Sequence, residues 1–336
     1  GEVEVKALLN SAVVVLDLVS TEGTIDARHK DIVAQARGCF EELHAIVLCT
    51  EAFDSLGGEL GRIGVSSVIP VICPEAALTT SALLPSLESA YRSLSLPGAP
   101  IFFATRFLDR ECAASLAVIL GGCAIAEAVE IHVEEDRLRA TTEALGGSWR
   151  GEVLAMAAPA CVCLRLRGLV PEEVEGQCRV GEPIVLSLSD QSTRVEERAY
   201  QSGDGRPKVT EAQVVVVGGR GAGQDWSLVE DLADALGAGI GATRDAVDEG
   251  WAKRSAQIGQ TGVTIAPKLY ISLGVSGAIH HTIGMMSSGT IVAVCDDPDA
   301  PIFEIADFGV VGDLYEIVPQ ALEHIRAWRA NEPQDN

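Results

Sequence analysis

The sequence predicts an α/β protein of two domains, each built on a mainly parallel sheet. Three observations carry this. Up to about residue 190, short β-branched apolar runs alternate with longer amphipathic segments, the pattern of strand–helix–strand units. A polar stretch, DQSTRVEERAYQSGDGRPKVTEA, then interrupts it, with almost nothing to bury. The pattern restarts with QVVVVGGRGAG, a buried strand running into a glycine-rich turn. The expected organisation is an N-terminal α/β domain over 1–190, a linker over 191–212 and a second parallel-sheet domain over 213–336. A length of 336 residues agrees with two domains at about 150 residues each.

In chain order, 11–18 (SAVVVLDL), 44–49, 68–73 and 100–104 read as strands, because each is short, apolar and bounded by polar or turn residues. Between them, 26–43, 77–94 and 109–120 read as helices. The runs 131–139, 153–157 and 160–167 read as further strands in an antiparallel annex. In the second half the buried strand that begins at Gln213 runs through the glycine-rich turn into a helix over 227–236. The 27 residues from Leu269 to Cys295 carry no Asp, Glu, Lys or Arg. That length suggests a membrane span, but glycines, serines, threonines and two histidines interrupt it. It reads instead as strand 269–273, loop 274–276, buried helix to 286 and strand 290–294.

Composition excludes several functions. The chain holds 25 basic and 48 acidic residues, a net charge of −23. Nucleic-acid binding needs a basic face that releases counterions from phosphates, and only five of the basic residues are lysines that could form a membrane patch. With 47% hydrophobic residues, real cores can form. Nine cysteines, most in apolar runs and none in a C-x-x-C pair, read as buried thiols in a reducing cytoplasm. No secretory leader is expected, since Glu2, Glu4 and Lys6 precede any apolar run.

The chemistry concentrates in the second half, where each motif carries two readings. GGRGAG after a strand suggests a dinucleotide turn, but G-x-G-x-x-G counted from Gly221 needs glycine where Trp226 stands. Such a turn still brings backbone amides to an anion, and Arg220 within it can fork onto phosphate or simply decorate a surface turn. Thr243 is a helix N-cap and Arg244 an i+4 partner of Asp248, or both face a ligand. The loop Gln257-Ile-Gly-Gln-Thr-Gly is an ordinary turn, or it presents donors to a heterocycle. Ser276 can cap the uncharged helix, with Gly277 admitting a ligand to its amides. His281 is a satisfied core histidine or a ligand. Asp313 is an N-cap or an acceptor for a ribose hydroxyl.

Taken together, GGRG, GATRDAVD, QIGQTG, LYISLGVSGAIHHTIGM and TIVAVCDDPDAPIFEIADFGVVGDL resemble the FAD-binding domain of electron transfer flavoprotein alpha subunits in order and spacing, over residues 214 to about 325. In the first half, TRFLDRECAASLAVILGGCAIAEAVEI and TTEALGGSW resemble that family more weakly. The resemblance implies an adenine-nucleotide-hydrolase-like N-terminal domain that packs on a beta subunit. It implies a Rossmann-like C-terminal domain that holds one FAD and swivels on the linker. The implied activity is electron shuttling between flavin dehydrogenases, such as acyl-CoA dehydrogenases, and an acceptor.

The resemblance also implies site roles. Arg220 and Arg244 stand at the FAD-contacting arginines, with Thr243 in the usual hydroxyl position. Gln257, Ile258, Gly259, Gln260 and Thr261 form the loop against the isoalloxazine, the threonine hydroxyl near N5. Ser276, Gly277, Ala278, Ile279, His280 and His281 form the phosphate-binding helix start, with His281 near the pyrimidine carbonyl. Cys295 and Asp313 fall at the adenosine end. A histidine and an arginine near the ring would favour anionic reduced flavin.

Three positions depart from the family pattern: His280 replaces a usual glutamine, Ser272 a usual alanine or threonine, and Cys295 a usual asparagine. A thiol replaces neither the donor nor the acceptor of an amide well, so weaker adenosine contacts are expected. ATRDAVDEGW followed by QIGQTG and PKLY points to the branch holding FixB-type and electron-bifurcating members. The competing reading is a diverged binding or assembly subunit without a working flavin.

Overall fold

The structure is a computed structural model that describes residues 10–19, 23, 25–51, 55–74, 78–135, 137–144, 149–186 and 205–331. The chain divides into two compact units, Gly1–Tyr200 and Gln201–Asn336. Most of the expected linker, 191–204, lies outside the described residues. Its remainder is packed rather than free, since Val209 and Ala212 are buried with Val215 and Tyr270 in the second unit's core.

The first unit opens with β1 (Ser11–Asp17), β2 (Glu42–Cys49), β3 (Ser67–Ile72) and β4 (Ile101–Phe103). These pair in parallel in the order β3-β2-β1-β4. Their apolar runs are continuous because helices cover both faces. One face buries α1 (Ala27–Arg37) and α2 (Leu56–Arg62) against Val14, Leu16, Ala45 and Val47. The other buries α3 (Thr80–Ser93) and α4 (Phe107–Leu120) against Val13, Ile46, Val71 and Phe103.

Several expected elements are corrected. The helix expected over 26–43 ends at Arg37, because Gly38 caps it and Glu42 already pairs with Ser11 in the sheet. Helix α2 is not among the expected elements; its three glycines, Gly57, Gly58 and Gly61, hide the amphipathic pattern. The run 131–139 spans a hairpin turn between β5 (Cys123–Glu134) and β6 (Arg137–Ala144), which pair antiparallel and continue to β7 (Trp149–Leu154). The third annex strand belongs elsewhere: β8 (Ala160–Leu164) is wholly buried and lies in parallel between β4 and β5. Short strands β9 (Arg179–Val180) and β10 (Ile184–Val185) pair with β3.

The second unit is a five-stranded sheet in the order β12-β11-β13-β14-β15, every pair parallel. The strands are β11 (Val214–Gly218), β12 (Gly239–Ala242), β13 (Leu269–Leu273), β14 (Thr290–Cys295) and β15 (Phe308–Val311). Helix α5 (Ser227–Leu236) forms over the residues expected, ended by Gly237 in the left-handed region. The chain steps from β11 outward to β12, then returns to place β13 on the other side of β11. That reversal opens a crevice at the carboxyl ends of β11 and β13. Three one-turn helices follow, α6 (Arg244–Asp248), α7 (Ile279–Thr282) and α8 (Ile302–Ile305), and then α9 (Leu314–Asn331) packs Leu314, Val318 and Leu322 with Val229 and Leu232 of α5. Among the described residues no helix is long and apolar enough to cross a membrane.

Asp31 holds a long-range contact in the first unit. Its Oδ2 accepts hydrogen bonds from the amides of Arg167, Gly168 and Leu169 at 2.7, 2.5 and 3.2 Å, and its Oδ1 accepts from Gln35. Asp31→Ala leaves three amides unpaired in a half-buried place and should destabilise this unit by about 2–4 kcal/mol. Chemical denaturation of the full chain, followed through Trp149 fluorescence, checks it; a loss under about 0.5 kcal/mol, the level of an ordinary surface change, would refute it.

Candidate active cleft of the second unit

A cleft of about 660 Å³ lies where the carboxyl ends of β11, β12, β13 and β14 converge. It is lined by all the predicted site residues except Gly259, Ile279 and Asp313. Its floor depends on two turns that touch backbone to backbone. After β11, Gly219 and Gly221 donate amide hydrogen bonds to Leu273 and Gly274 after β13, both at 2.9 Å. A Cβ on Gly219 would lie 2.3 Å from the Gly274 carbonyl oxygen, and one on Gly274 would lie 2.5 Å from the Gly221 carbonyl carbon. Gly274 also has φ +62°, a backbone that side chains disfavour. Trp226 packs against Gly218, where a Cβ would meet its ring at 2.8 Å, so the tryptophan that broke the fingerprint has a packing role.

Arg220 stands in a short 3-10 turn, Arg220–Ala222, largely exposed, with Asp245 at 3.8 Å. Thr243 caps α6 (Arg244–Asp248), its hydroxyl 3.5 Å from the Ala246 amide, and Arg244 pairs with Asp248 at 3.1 Å. The simple local readings of Thr243 and Arg244 therefore hold, while both residues line the cleft. Exposed pairs of this kind are weak, about 0–1 kcal/mol, and yield readily to a better anion.

After β13 the chain runs Val275 to Ala278 without regular structure, then forms α7 (Ile279–Thr282). The expected buried helix to 286 is thus one turn, which continues as turns to Ser287. Ser276 is not its cap; Ala278 holds that position and makes no side-chain cap. The amides of Gly277, Ala278 and Ile279 have no acceptor among the described residues. Gly277 is needed for closeness, since a Cβ there would lie 2.4 Å from the Ile302 amide. Free amides beside two arginines suit an anion.

The loop 257–263 forms the opposite wall. Buried Gln257 accepts from Arg254 at 2.7 Å and donates to the Thr261 hydroxyl at 2.9 Å. The Thr261 oxygen is thereby fixed as an acceptor, which leaves its hydrogen to donate outward. Gly259, at φ +132°, lies so close to His280 that a Cβ would be 2.3 Å from its carbonyl oxygen. Gln260 donates its amide to that carbonyl at 2.7 Å, and its side-chain oxygen meets His280 Nδ1 at 2.7 Å. These residues match a planar polar ring edge on the Thr261 side and a diphosphate on the arginine side.

His281 lines the cleft but has no free nitrogen. Its Nδ1 faces the Ile258 carbonyl at 3.1 Å and must carry the proton, so the Tyr270 hydroxyl donates to Nε2 at 2.7 Å. Burial pushes its pKa down to about 4, only partly opposed by the Ile258 carbonyl, so the ring is neutral in this arrangement. The exposed imidazole is His280. Cys295 is buried at the end of β14, with Asp296 and Asp297 following it along the cleft. Ser272 is fully buried and donates to the Val292 carbonyl at 3.4 Å, away from the cleft. Asp313 is exposed and accepts from the Tyr315 amide at 2.8 Å, the N-cap geometry.

Sequence reasoning missed Tyr270, Arg254, Tyr315 and the aspartates 296 and 297. The first three act from behind the lining residues, and only a third dimension reveals them. The aspartates were in plain view, but in an acidic chain two more carboxylates draw no notice.

Fold and cleft together define a two-domain α/β protein whose second unit opens a ligand-sized cleft at a strand reversal. The family described as "Electron transfer flavoprotein FAD-binding domain" matches residues 208–286, and the "Electron transfer flavoprotein domain" matches residues 13–190. The electron transfer flavoprotein subunit alpha of Mycobacterium leprae is 35% identical over 314 residues, covering 91% of this chain and 96% of the relative. That of Syntrophomonas wolfei is 31% identical over 308 residues, again 91% and 96%. The mitochondrial subunit alpha of Dictyostelium discoideum is 52% identical over 145 residues, 43% of this chain and 41% of the relative. The chain belongs to the electron transfer flavoprotein alpha subunit family and carries its FAD-binding domain.

The neutral state of His281 gives a pH dependence. Its folded pKa lies below the unfolded value of about 6.5, so the unfolded chain binds more protons between the two. The second unit should therefore lose about 3 kcal/mol of stability as pH falls from 6.5 to 4, with little further loss from this group below that. Denaturant titrations across that range, read through Trp226 and Trp251, check this. The slope should vanish in a His281→Gln variant; if it persists unchanged, His281 is not its source.

Proposed function

We propose that the chain is the FAD-bearing half of an alpha–beta pair that carries electrons between flavin dehydrogenases and an acceptor in the cytoplasm. The observation that supports it best is the cleft's donor set. Two weakly paired arginines stand at one end with the lining residues Gly277 and Ala278, whose amides have no acceptor among the described residues, and an aimed threonine hydroxyl stands at the other. This fits a molecule with a diphosphate at one end and a planar polar ring at the other, as FAD has. When bound, FAD supplies a group that accepts two electrons and can release them singly.

In this reading Arg220 and Arg244 leave Asp245 and Asp248 to meet the diphosphate, joined by the amides of Gly277, Ala278 and Ile279. Gln257 and Arg254 hold Thr261 so that its hydroxyl donates to the ring edge. His281 stiffens the wall between β13 and the loop, while His280 and Gln260 offer an adjustable polar edge. A beta subunit is the partner that the designation "subunit alpha" of the relatives implies. Nine free thiols, seven of them buried, suit a reducing cytoplasm.

The full chain produced with a beta subunit should purify with it and show an oxidised-flavin absorption band. A colourless pair that takes up no added FAD would instead support an assembly subunit that keeps the fold without a flavin. Arg220→Ala should weaken FAD binding about ten- to a hundredfold, the cost of a lost charged hydrogen bond. Equilibrium dialysis measures it.

Cys295→Asn restores donor and acceptor at the end of β14 and should slow FAD loss on dilution; unchanged retention would show that the thiol does not matter there. Membership of the electron-bifurcating branch predicts that NADH alone reduces the purified pair. No reduction without a dehydrogenase would place it among simple shuttles.

A further inference from the structure

The turn that carries Arg220 is braced from a second side. The Ala222 carbonyl, which closes that turn, accepts a hydrogen bond from the Tyr315 hydroxyl at 2.9 Å across 93 residues. Tyr315 stands in the first turn of α9, whose Leu314, Val318 and Leu322 are buried beside α5, so a fixed body delivers the phenol. Asp313 organises that helix start: its Oδ1 accepts the Tyr315 amide, and its carbonyl accepts the amides of Glu316 and Ile317 at 3.1 and 3.0 Å. Gly223, at φ +66°, lets the chain pass beneath the phenol, whose oxygen would lie 3.3 Å from any Cβ there. On its other side the same turn is held by Leu273 and Gly274. Among the described residues the Arg220 side chain has only the distant Asp245 contact, so the backbone of this doubly held turn sets the direction of its guanidinium.

We propose that Tyr315, with Asp313 capping its helix, is a positioning residue that aims Arg220 into the cleft. The inference rests on the reading of the cleft as an FAD site. Asp313 then acts on the cofactor through α9 and the Arg220 turn rather than as a ribose contact. The proposed brace links the last helix of the chain to the first turn of the cofactor domain.

Tyr315→Phe removes one hydroxyl from a half-exposed ring and keeps its packing. In the full chain it should weaken both FAD and ADP by about three- to tenfold, the worth of one hydrogen bond. In an Arg220→Gln background the same change should cost nothing further, because its effect passes through that arginine. Equal losses in the two backgrounds would overturn the proposal. A second readout needs no cofactor: tryptic cleavage after Arg220 in the unliganded chain, located by mass spectrometry, should quicken in Tyr315→Phe and to a smaller degree in Asp313→Ala. Unchanged cleavage in both variants would also overturn it. If the wild-type chain binds neither FAD nor ADP while the cleavage still quickens, the reading of the cleft fails and the brace stands.

Discussion

The cleft depends on the contact between two glycine turns at the carboxyl ends of β11 and β13. Hydrogen bonds from Gly219 and Gly221 to Leu273 and Gly274 draw these strand ends together, and there is no room for a side chain at the junction. A methyl group on either turn would wedge them apart. The wedge would move Arg220 on one side and the free amides near Ala278 on the other. The strand reversal creates a crevice in principle; the glycines set how narrow it is and which donors face each other across it.

Electrostatics give the cleft a second character. The chain carries a net charge of −23, and no Lys or Arg occurs between Leu269 and Ile325. An anionic ligand therefore relies on two arginines that arrive from other strands, and on backbone amides whose partial charge does not depend on pH. Asp245, Asp248, Asp296 and Asp297 line the same space. Asp245 and Asp248 keep the arginines loosely occupied, and the four carboxylates together repel anions that cannot engage both cations and amides. The wider acidic surface gives a long-range field that acts on any charged partner and that salt weakens.

Much of this was legible in the sequence, for identifiable reasons. Strands β11 and β13 and helix α5 are bounded by glycine or polar residues and have a clear period, so their limits could be read directly. The cleft residues form compact motifs in a fixed order, which a linear reading can see. Other features were hidden. Helix α2 carries three glycines among seven residues, and β8 looks like its antiparallel neighbours although it lies in parallel between β4 and β5. One-letter patterns do not encode strand order. The helix start at Ser276 was misplaced because a serine before an apolar run resembles a cap, whereas its carbonyl instead accepts from Ile302 in a distant turn. His281 was legible as a site residue, but its commitment to Tyr270 and Ile258 depends on a hydrogen-bond geometry that no spacing predicts.

The cleft draws its lining from segments spread between Arg220 and Ala300, while the buried core of the unit lies on the sheet faces rather than at the strand ends. A ligand seated there would tie together five loops that otherwise meet through the sheet and a few backbone contacts. It would behave as a removable cross-link, closing long stretches of chain in the folded state alone. Its binding energy would then count as folding energy for the loops. The cofactor's residence time would set how long those loops keep a single shape, and a chain that has lost it would keep its core but surrender its edges.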